Sequence, residues 1–306
     1  LLLIPLPKSA NQAVFKGFPR TDFMNLKLSL LRGVCQTPAY VACEKGFFSH
    51  EGINVTAEVA ATAWLVPHKL STDESQFAVM PWSRVAAAEG YPFVLLAGSG
   101  CEEAAIVVRN GIEQNEVKKV AIPLRGGIKD LTAMGLIKSL GWNNAELLRM
   151  PSGDGAIISF FGQGSDAASM VEPYATMMEE LGVGKVLRRT GDLWKGAPGC
   201  SLTTTRKFRD QHPEVVSKVV QAFAKGADFV LKNPEESSEI ASKYIGISSA
   251  IIRKSLEANK PNVDALRNTE SMKQIIELMK ELGYVEEDSS QYLDLSFLDQ
   301  VRATKV

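Results

Sequence analysis

The sequence predicts an α/β fold built as two units, each a mainly parallel sheet flanked by helices. Three observations carry that prediction. Short apolar runs alternate with helix-like segments from residue 26 onward. The connections between the runs are too long for hairpins, and strands joined through helices pair in parallel. The alternation halts near residue 100, begins again, and is followed by a helix-rich tail, which allows the second unit to be inserted in the first.

In chain order, "LKLSLL" (26–31) reads as the first strand and leads through "RGVCQTP" to a helix. Pro38 suits a first helical turn, where its missing N–H costs nothing. Gly46 suits a helix end that needs positive φ. Gly52 marks a turn, and Ile53, Val55 and Ala57 alternate with polar residues as strand positions do. A short helix around "ATAWLVPHKL", strand "QFAVM" (76–80), helix "SRVAAAEG" and strand "PFVLLAG" (92–98) complete the first βαβαβ series. The second opens with "AAIVVR" (104–109) and "KKVAIPL" (118–124), then the loop "RGGIKD" and helix "LTAMGLIKSLG". Strand "ELLRM", helix "DGAIISFFGQG", strand "DAASMV", helix "EPYATMMEELG" and strand "KVLRRT" follow. After strand "SLTTT", three segments beginning at Pro213, Pro234 and Thr269 carry amphipathic helical periodicity.

The 306 residues can bury a large core. With 45% hydrophobic residues, 23% charged residues and a net charge of −1, the chain has ordinary globular composition and no basic footprint for nucleic acid or an anionic membrane. Its apolar runs are too short to span a bilayer. Residues 1–25, opening "LLLIPLPKSANQA", read either as the trailing end of a secretion signal or as an extension. The four cysteines, Cys35, Cys43, Cys101 and Cys200, form no C-x-x-C pair, and His50, His68 and His212 lie far apart, so no metal site is expected.

Catalytic motifs are sparse. There is no P-loop, no G-x-S-x-G elbow and no H-E-x-x-H. "GSG" at 98–100 lacks dinucleotide-loop spacing. "SGDG" (152–155) reads as a turn with Asp154 as helix cap rather than a phosphate loop, and Glu102-Glu103 as a solvated loop rather than a carboxylate pair. What stands out is the content of loops at strand ends, where open parallel sheets bind ligands. Gln36, Thr37 and Tyr40 follow the first strand, Thr62 and Trp64 the second, and Trp82 and Ser83 the third. Arg125, Gly126 and Gly127 precede a helix, where backbone N–H groups favour an anion. Arg125 reads either as a bidentate partner of a carboxylate or sulfonate or as a surface ion pair. Trp64 and Trp82 read either as core or as cleft faces that stack on a flat ring.

Four segments together resemble the periplasmic solute-binding proteins of ABC transporters in the nitrate/sulfonate/taurine and thiamine-pyrimidine-precursor (NMT1/THI5-like) group. They are "PAYVACEKGFFSHEGINV", "KKVAIPLRGGIKDLTAMGLIKSLGW", "GSDAASMVEPYATMMEELG" and "FRDQHPEVVSKVVQAFAKGADFVLKNPEES". The resemblance runs from about Leu26 to about Val285. It implies a type II, two-lobed fold with two crossover strands, lobe 1 comprising 26–101 plus 200–306 and lobe 2 comprising 102–199. It also implies an extracytoplasmic monomer without cofactor or catalysis that closes on a small anionic or heteroaromatic solute and delivers it to a membrane permease. Tyr174 and Trp194 join the aromatic residues expected at the cleft. Glu172 is expected to bond either an amine or ring N–H of the solute, or a partner within the second lobe. Sulfonate binders of the group tend to present Ser/Thr hydroxyls where this chain has Arg125-Gly126-Gly127-Ile128, which counts against a sulfonate and allows a carboxylate or another ligand. The related pyrimidine-synthesising enzymes carry a Lys and a His after the third strand; here the loop reads "VMPWSRV". The alternative remains an enzyme on the same fold acting on a pyrimidine-like or anionic metabolite. Since crossover strands run side by side, Cys101 and Cys200 are expected within reach of a disulfide across the hinge.

Overall fold

A computed structural model describes residues 24–90, 92–150, 153–286 and 291–303. The N-terminal segment expected as an extension therefore lies, up to residue 23, outside the described residues, as does the side chain of Asp154 expected to cap a helix. The first series is β1 (Asn25–Leu30), α1 (Thr37–Glu44), α2 (Phe47–His50), β2 (Asn54–Val59), α3 (Leu65–Ser71), β3 (Phe77–Pro81), α4 (Trp82–Ala86) and β4 (Phe93–Gly98). The second is β5 (Ala104–Arg109), β6 (Lys119–Pro123), α5 (Ile128–Ser139), β7 (Glu146–Met150), α6 (Gly153–Phe161), β8 (Ala167–Val171), α7 (Tyr174–Glu180) and β9 (Gly184–Arg189). The chain returns as β10 (Cys200–Thr205) and ends in α8 (Arg206–Gln211), α9 (Pro213–Lys232), α10 (Pro234–Ile245), α11 (Ser249–Ala258), α12 (Thr269–Glu281) and α13 (Ser296–Ala303).

Two five-stranded sheets result, ordered β2-β1-β3-β10-β4 and β7-β6-β8-β5-β9. Each has one strand opposed to its neighbours, β10 in the first and β5 in the second. These are the strands the chain makes on entering each sheet from the other, so the antiparallel member marks each crossing. Each sheet with its covering helices forms a lobe. The crossings run side by side: Cys101 bridges Pro198, Gly199 N donates to Gly100 O at 3.1 Å, and Glu102 N donates to Ala197 O at 2.9 Å.

Both faces of each sheet are covered, which explains near-continuous apolar strands. In β3, Phe77 and Val79 enter one core while Ala78 and Met80 enter the other; in β5, Ile106 and Val108 part from Ala105 and Val107 in the same way. The first core is closed by α1, α9 and α10. On α9, Val216, Val219, Val220, Phe223, Ala227 and Val230 are buried at helical spacing. The second core reaches across the lobes, where Ile128 and Leu131 of α5 join Ile275 and Met279 of α12.

Two sequence expectations change. Gly46 does have a left-handed conformation, φ +69°, but it joins α1 to the single turn of α2 rather than to a loop. The tail contains α8, α11 and α13 in addition to the three expected helices. Among the described residues no helix is long and apolar enough to cross a membrane.

Candidate solute-binding cleft

Between the lobes lies a cavity of about 120 Å³, formed where strand-end loops of both sheets meet the crossings. The first lobe supplies Gly33, Cys35 and Gln36 after β1, Thr62 and Trp64 after β2, and Pro81 and Arg84 at the end of β3. The second supplies Gly127, Ile128 and Lys129 at the start of α5, Val171 at the end of β8 and Tyr174 at the start of α7. Glu103 and Cys200, from the two crossings, also line it, as does Arg32 beside Gly33.

Arg84 is the polar centre of this cavity. Its guanidinium lies over the Trp64 ring, 4.1 Å from the centroid, a cation–π contact that fixes its plane. Burial pulls its pKa below the ordinary arginine value. Its Nε is buried with no hydrogen-bond partner among the described residues. A buried donor left unmade costs about 1–3 kcal/mol, so Arg84 is held in this place at a cost in stability. Arg84 also reaches the second lobe: a Cβ on Gly127 would lie 3.6 Å from Arg84 Nη2. Gly127 caps α5 without a side-chain hydrogen bond. The first N–H groups of that helix have no intrahelical partner, and its dipole adds positive potential.

Asp130, in the first turn of α5, holds this loop. Its carboxylate accepts from Gly126 N at 3.0 Å and from Arg149 Nη1 at 2.8 Å. Tyr284, from the tail on the first lobe, donates to Asp130 Oδ2 at 2.7 Å. Burial and this hydrogen bond push the Tyr284 phenol up to about 12. The lobes also meet where Ser83 Oγ donates to Gly126 O at 3.2 Å and Val34 N to Glu172 O at 3.0 Å.

Of the residues chosen from the sequence, Gln36, Thr62, Trp64, Gly127 and Tyr174 line the cavity. The others do not. Thr37 is buried and donates to Val34 O at 2.6 Å. Tyr40 is buried, donates to Leu31 O and stacks on Tyr244 at 4.4 Å. Trp82 is core, its Nε1 donating to Pro198 O at 2.9 Å, and Trp194 belongs to the same apolar cluster. Ser83 and Gly126 bond each other across the lobes, and Arg125 lies over the Tyr284 ring. For Glu172 the second-lobe bond is the one formed: it pairs with Arg189 at 2.5 Å and accepts from Thr176 N at 3.1 Å.

The expected Cys101–Cys200 disulfide is absent; all four cysteines are free thiols. The crossings place Cys101 opposite Pro198, while the Cys200 thiol is buried beside Cys35. Glu103, read as part of a solvated loop, is 2% exposed. Cys200 N donates to its Oε1, and burial pushes its carboxyl above the usual range.

Sequence reasoning missed Arg84, Lys129, Cys35, Glu103 and Cys200 as cavity residues. For Arg84 a signal existed. The chain turns from strand to helix at Pro81, so residues one helical turn apart, 81 and 84, share the cavity face while Trp82 turns inward. The rest meet only through the crossings, and no local pattern announces them.

Two lobes joined by paired crossings, each with one opposed strand and a cavity at their junction, define the periplasmic binding protein fold. The chain matches the NMT1-like family over residues 23–245, and it belongs to that family. It is similar in structure to a ligand-binding component of an ABC-type import system from Staphylococcus aureus, solved with zinc bound. The TM-score is 0.80 at 17% identity, over 90% of this chain and 98% of that one. The periplasmic nitrate-binding protein NrtA from Synechocystis PCC 6803 matches with a TM-score of 0.77 at 15% identity, over 92% of this chain and 89% of that one. The alkanesulfonate-binding protein SsuA from Xanthomonas axonopodis pv. citri, bound to MOPS, matches with a TM-score of 0.75 at 11% identity, over 88% and 98%. No curated protein sequence matches the chain.

Proposed function

We propose that the chain is the extracytoplasmic solute-binding component of an ABC importer, a monomer that captures a small anionic solute between its lobes and presents it to a membrane permease. The observation that carries this reading is Arg84, a cavity-lining guanidinium held over the Trp64 ring beside the start of α5. Trp64 and Tyr174, at the same cavity, favour a solute with a flat or apolar body behind its anionic group. The fold relatives include binders of nitrate and of alkanesulfonates, both anions, which supports the charge assignment. Lobe 1 then comprises 26–101 plus 200–306 and lobe 2 102–199, closing by hinge motion at the crossings.

Thermal unfolding against nitrate, bicarbonate, alkylsulfonates, aromatic carboxylates, pyrimidines and flavins tests the reading. A true solute at a hundred times its dissociation constant adds about 2.7 kcal/mol of stability, and the anionic members should supply the hit. Arg84→Met should weaken that hit about ten- to hundredfold, the worth of a hydrogen bond to a charged group. An uncharged hit unaffected by Arg84→Met overturns the anionic assignment. A hit recovered chemically altered replaces the receptor with an enzyme on the same fold.

A further inference from the structure

The floor of the cleft carries a cluster that anion capture by Arg84 does not use. Cys35 from the turn after β1, Glu103 from the outgoing crossing and Cys200 at the head of β10 are all buried, and all three line the cavity. Their sulfur and carboxylate atoms lie within 4.8 Å of one another. With Zn–S bonds of about 2.3 Å and Zn–O bonds of about 2.0–2.2 Å, a tetrahedral site holds its donors about 3.5–3.8 Å apart. The cluster therefore needs a contraction of at most about 1.3 Å between any two donors.

We propose that Cys35, Cys200 and Glu103 bind a thiophilic divalent cation of the zinc class, with the fourth coordination position open to the cavity. Two sulfurs and one carboxylate oxygen select such an ion over magnesium or calcium, which take oxygen ligands. Three protein donors with one open position is the arrangement zinc adopts where it meets exogenous ligands.

The donors are held in place by surrounding contacts, as metal ligands are. Gln36 Nε2 donates to Cys35 Sγ at 3.2 Å. Cys200 N donates to Glu103 Oε1, leaving the second carboxylate oxygen for a cation. A Cβ on Gly199 would lie 2.0 Å from Glu103 Cδ, so only glycine lets the carboxylate fold against the return crossing. The donors stand at positions 35, 103 and 200, a spacing no sequence motif reports. A bound cation joins both crossings to the first-lobe loop and so braces the hinge.

The full chain, reduced with a non-chelating phosphine and titrated with cobalt(II) and zinc(II) in the absence of any candidate solute, tests this. A thiolate-to-cobalt charge-transfer band should grow to one equivalent and be bleached by zinc. Cys35→Ser and Cys200→Ser should each abolish it, Cys43→Ser should leave it, and Glu103→Gln should weaken cobalt binding about 10–100-fold. Peptide mass mapping of alkylation gives a second readout that needs no variant. One equivalent of zinc should protect Cys35 and Cys200 and leave the labelling of Cys43 and Cys101 unchanged. No band at stoichiometric cobalt, a band that survives both serine substitutions, or protection of Cys43 or Cys101 instead would each overturn the site. So would a Cys35–Cys200 disulfide that resists reduction and blocks cobalt. Because no anion enters these assays, their outcome is independent of the Arg84 experiment.

Discussion

Trp64 and Trp82 both follow strands of the first lobe, yet Trp64 is 46% exposed at the cavity and Trp82 is fully buried. Trp82→Ala should cost about 3–5 kcal/mol of unfolding free energy, the range for emptying a large aromatic site. Trp64→Ala should stay within about 0.5 kcal/mol of the parent in stability but weaken solute binding, because it frees the plane of Arg84. Denaturant unfolding and solute titration on the two variants separate these effects; a Trp82→Ala protein of parental stability would contradict the packing described. At this scale the sequence is only partly legible. It shows that loops after β1, β2 and β3 gather polar and aromatic residues at one end of the sheet. Which side chain of "MPWSR" faces the cavity depends on where the strand gives way to helix, which puts Trp82 in the core and Arg84 at the cavity.

Helix α9 packs so closely on α1 that a Cβ on Gly226 would lie 2.2 Å from the carbonyl oxygen of Pro38. Helix propensity alone would make Gly226→Ala stabilising by about 1 kcal/mol. The contact is with backbone, which cannot rotate away, so overpacking of about 1–3 kcal/mol or more opposes it and wins. Gly226→Ala should therefore lower the unfolding midpoint, and a raised midpoint would show that α1 and α9 can part without cost. Elements of this kind are the most legible part of the chain. Strands covered on both faces stand out as apolar runs, and α9 carries its buried stripe over 20 residues. Helix α8 escapes because its polar sequence "RKFRDQ" buries only Phe208, and α11 because its ten residues bury just Ile252, Ser255 and Leu256.

Across the whole molecule, the lobes touch on the α5 side of the cleft through apolar packing, hydrogen bonds and an exposed Lys138–Glu281 ion pair at 2.8 Å. Ile128 and Leu131 pack with Ile275 and Met279, and Tyr284 donates its hydroxyl to Asp130 at 2.7 Å. The apolar contact is non-directional and tolerates small shifts between the lobes. The hydrogen bond does not, because Asp130 is fully buried and also anchors the loop before α5 through Gly126. With the Tyr284 phenol pushed up from 10.0 to about 12, its contribution to the clasp is undiminished by phenol ionisation below pH 10 and is lost as pH rises from 10 towards 12. Tyr284→Phe removes the donor and leaves the ring. A hydrogen bond to a charged group contributes about 1.5–3 kcal/mol, so the arrangement with the lobes in contact here should lose at least tenfold in population relative to one in which they part. Small-angle scattering should show a larger radius of gyration for the solute-free variant, restored when solute is added. Its apparent dissociation constant should rise in proportion to the closed fraction lost. An unchanged radius together with unchanged affinity would assign closure to the remaining contacts between the lobes, and Ile275→Ala, which trims the apolar one, would then be the variant expected to open the cleft.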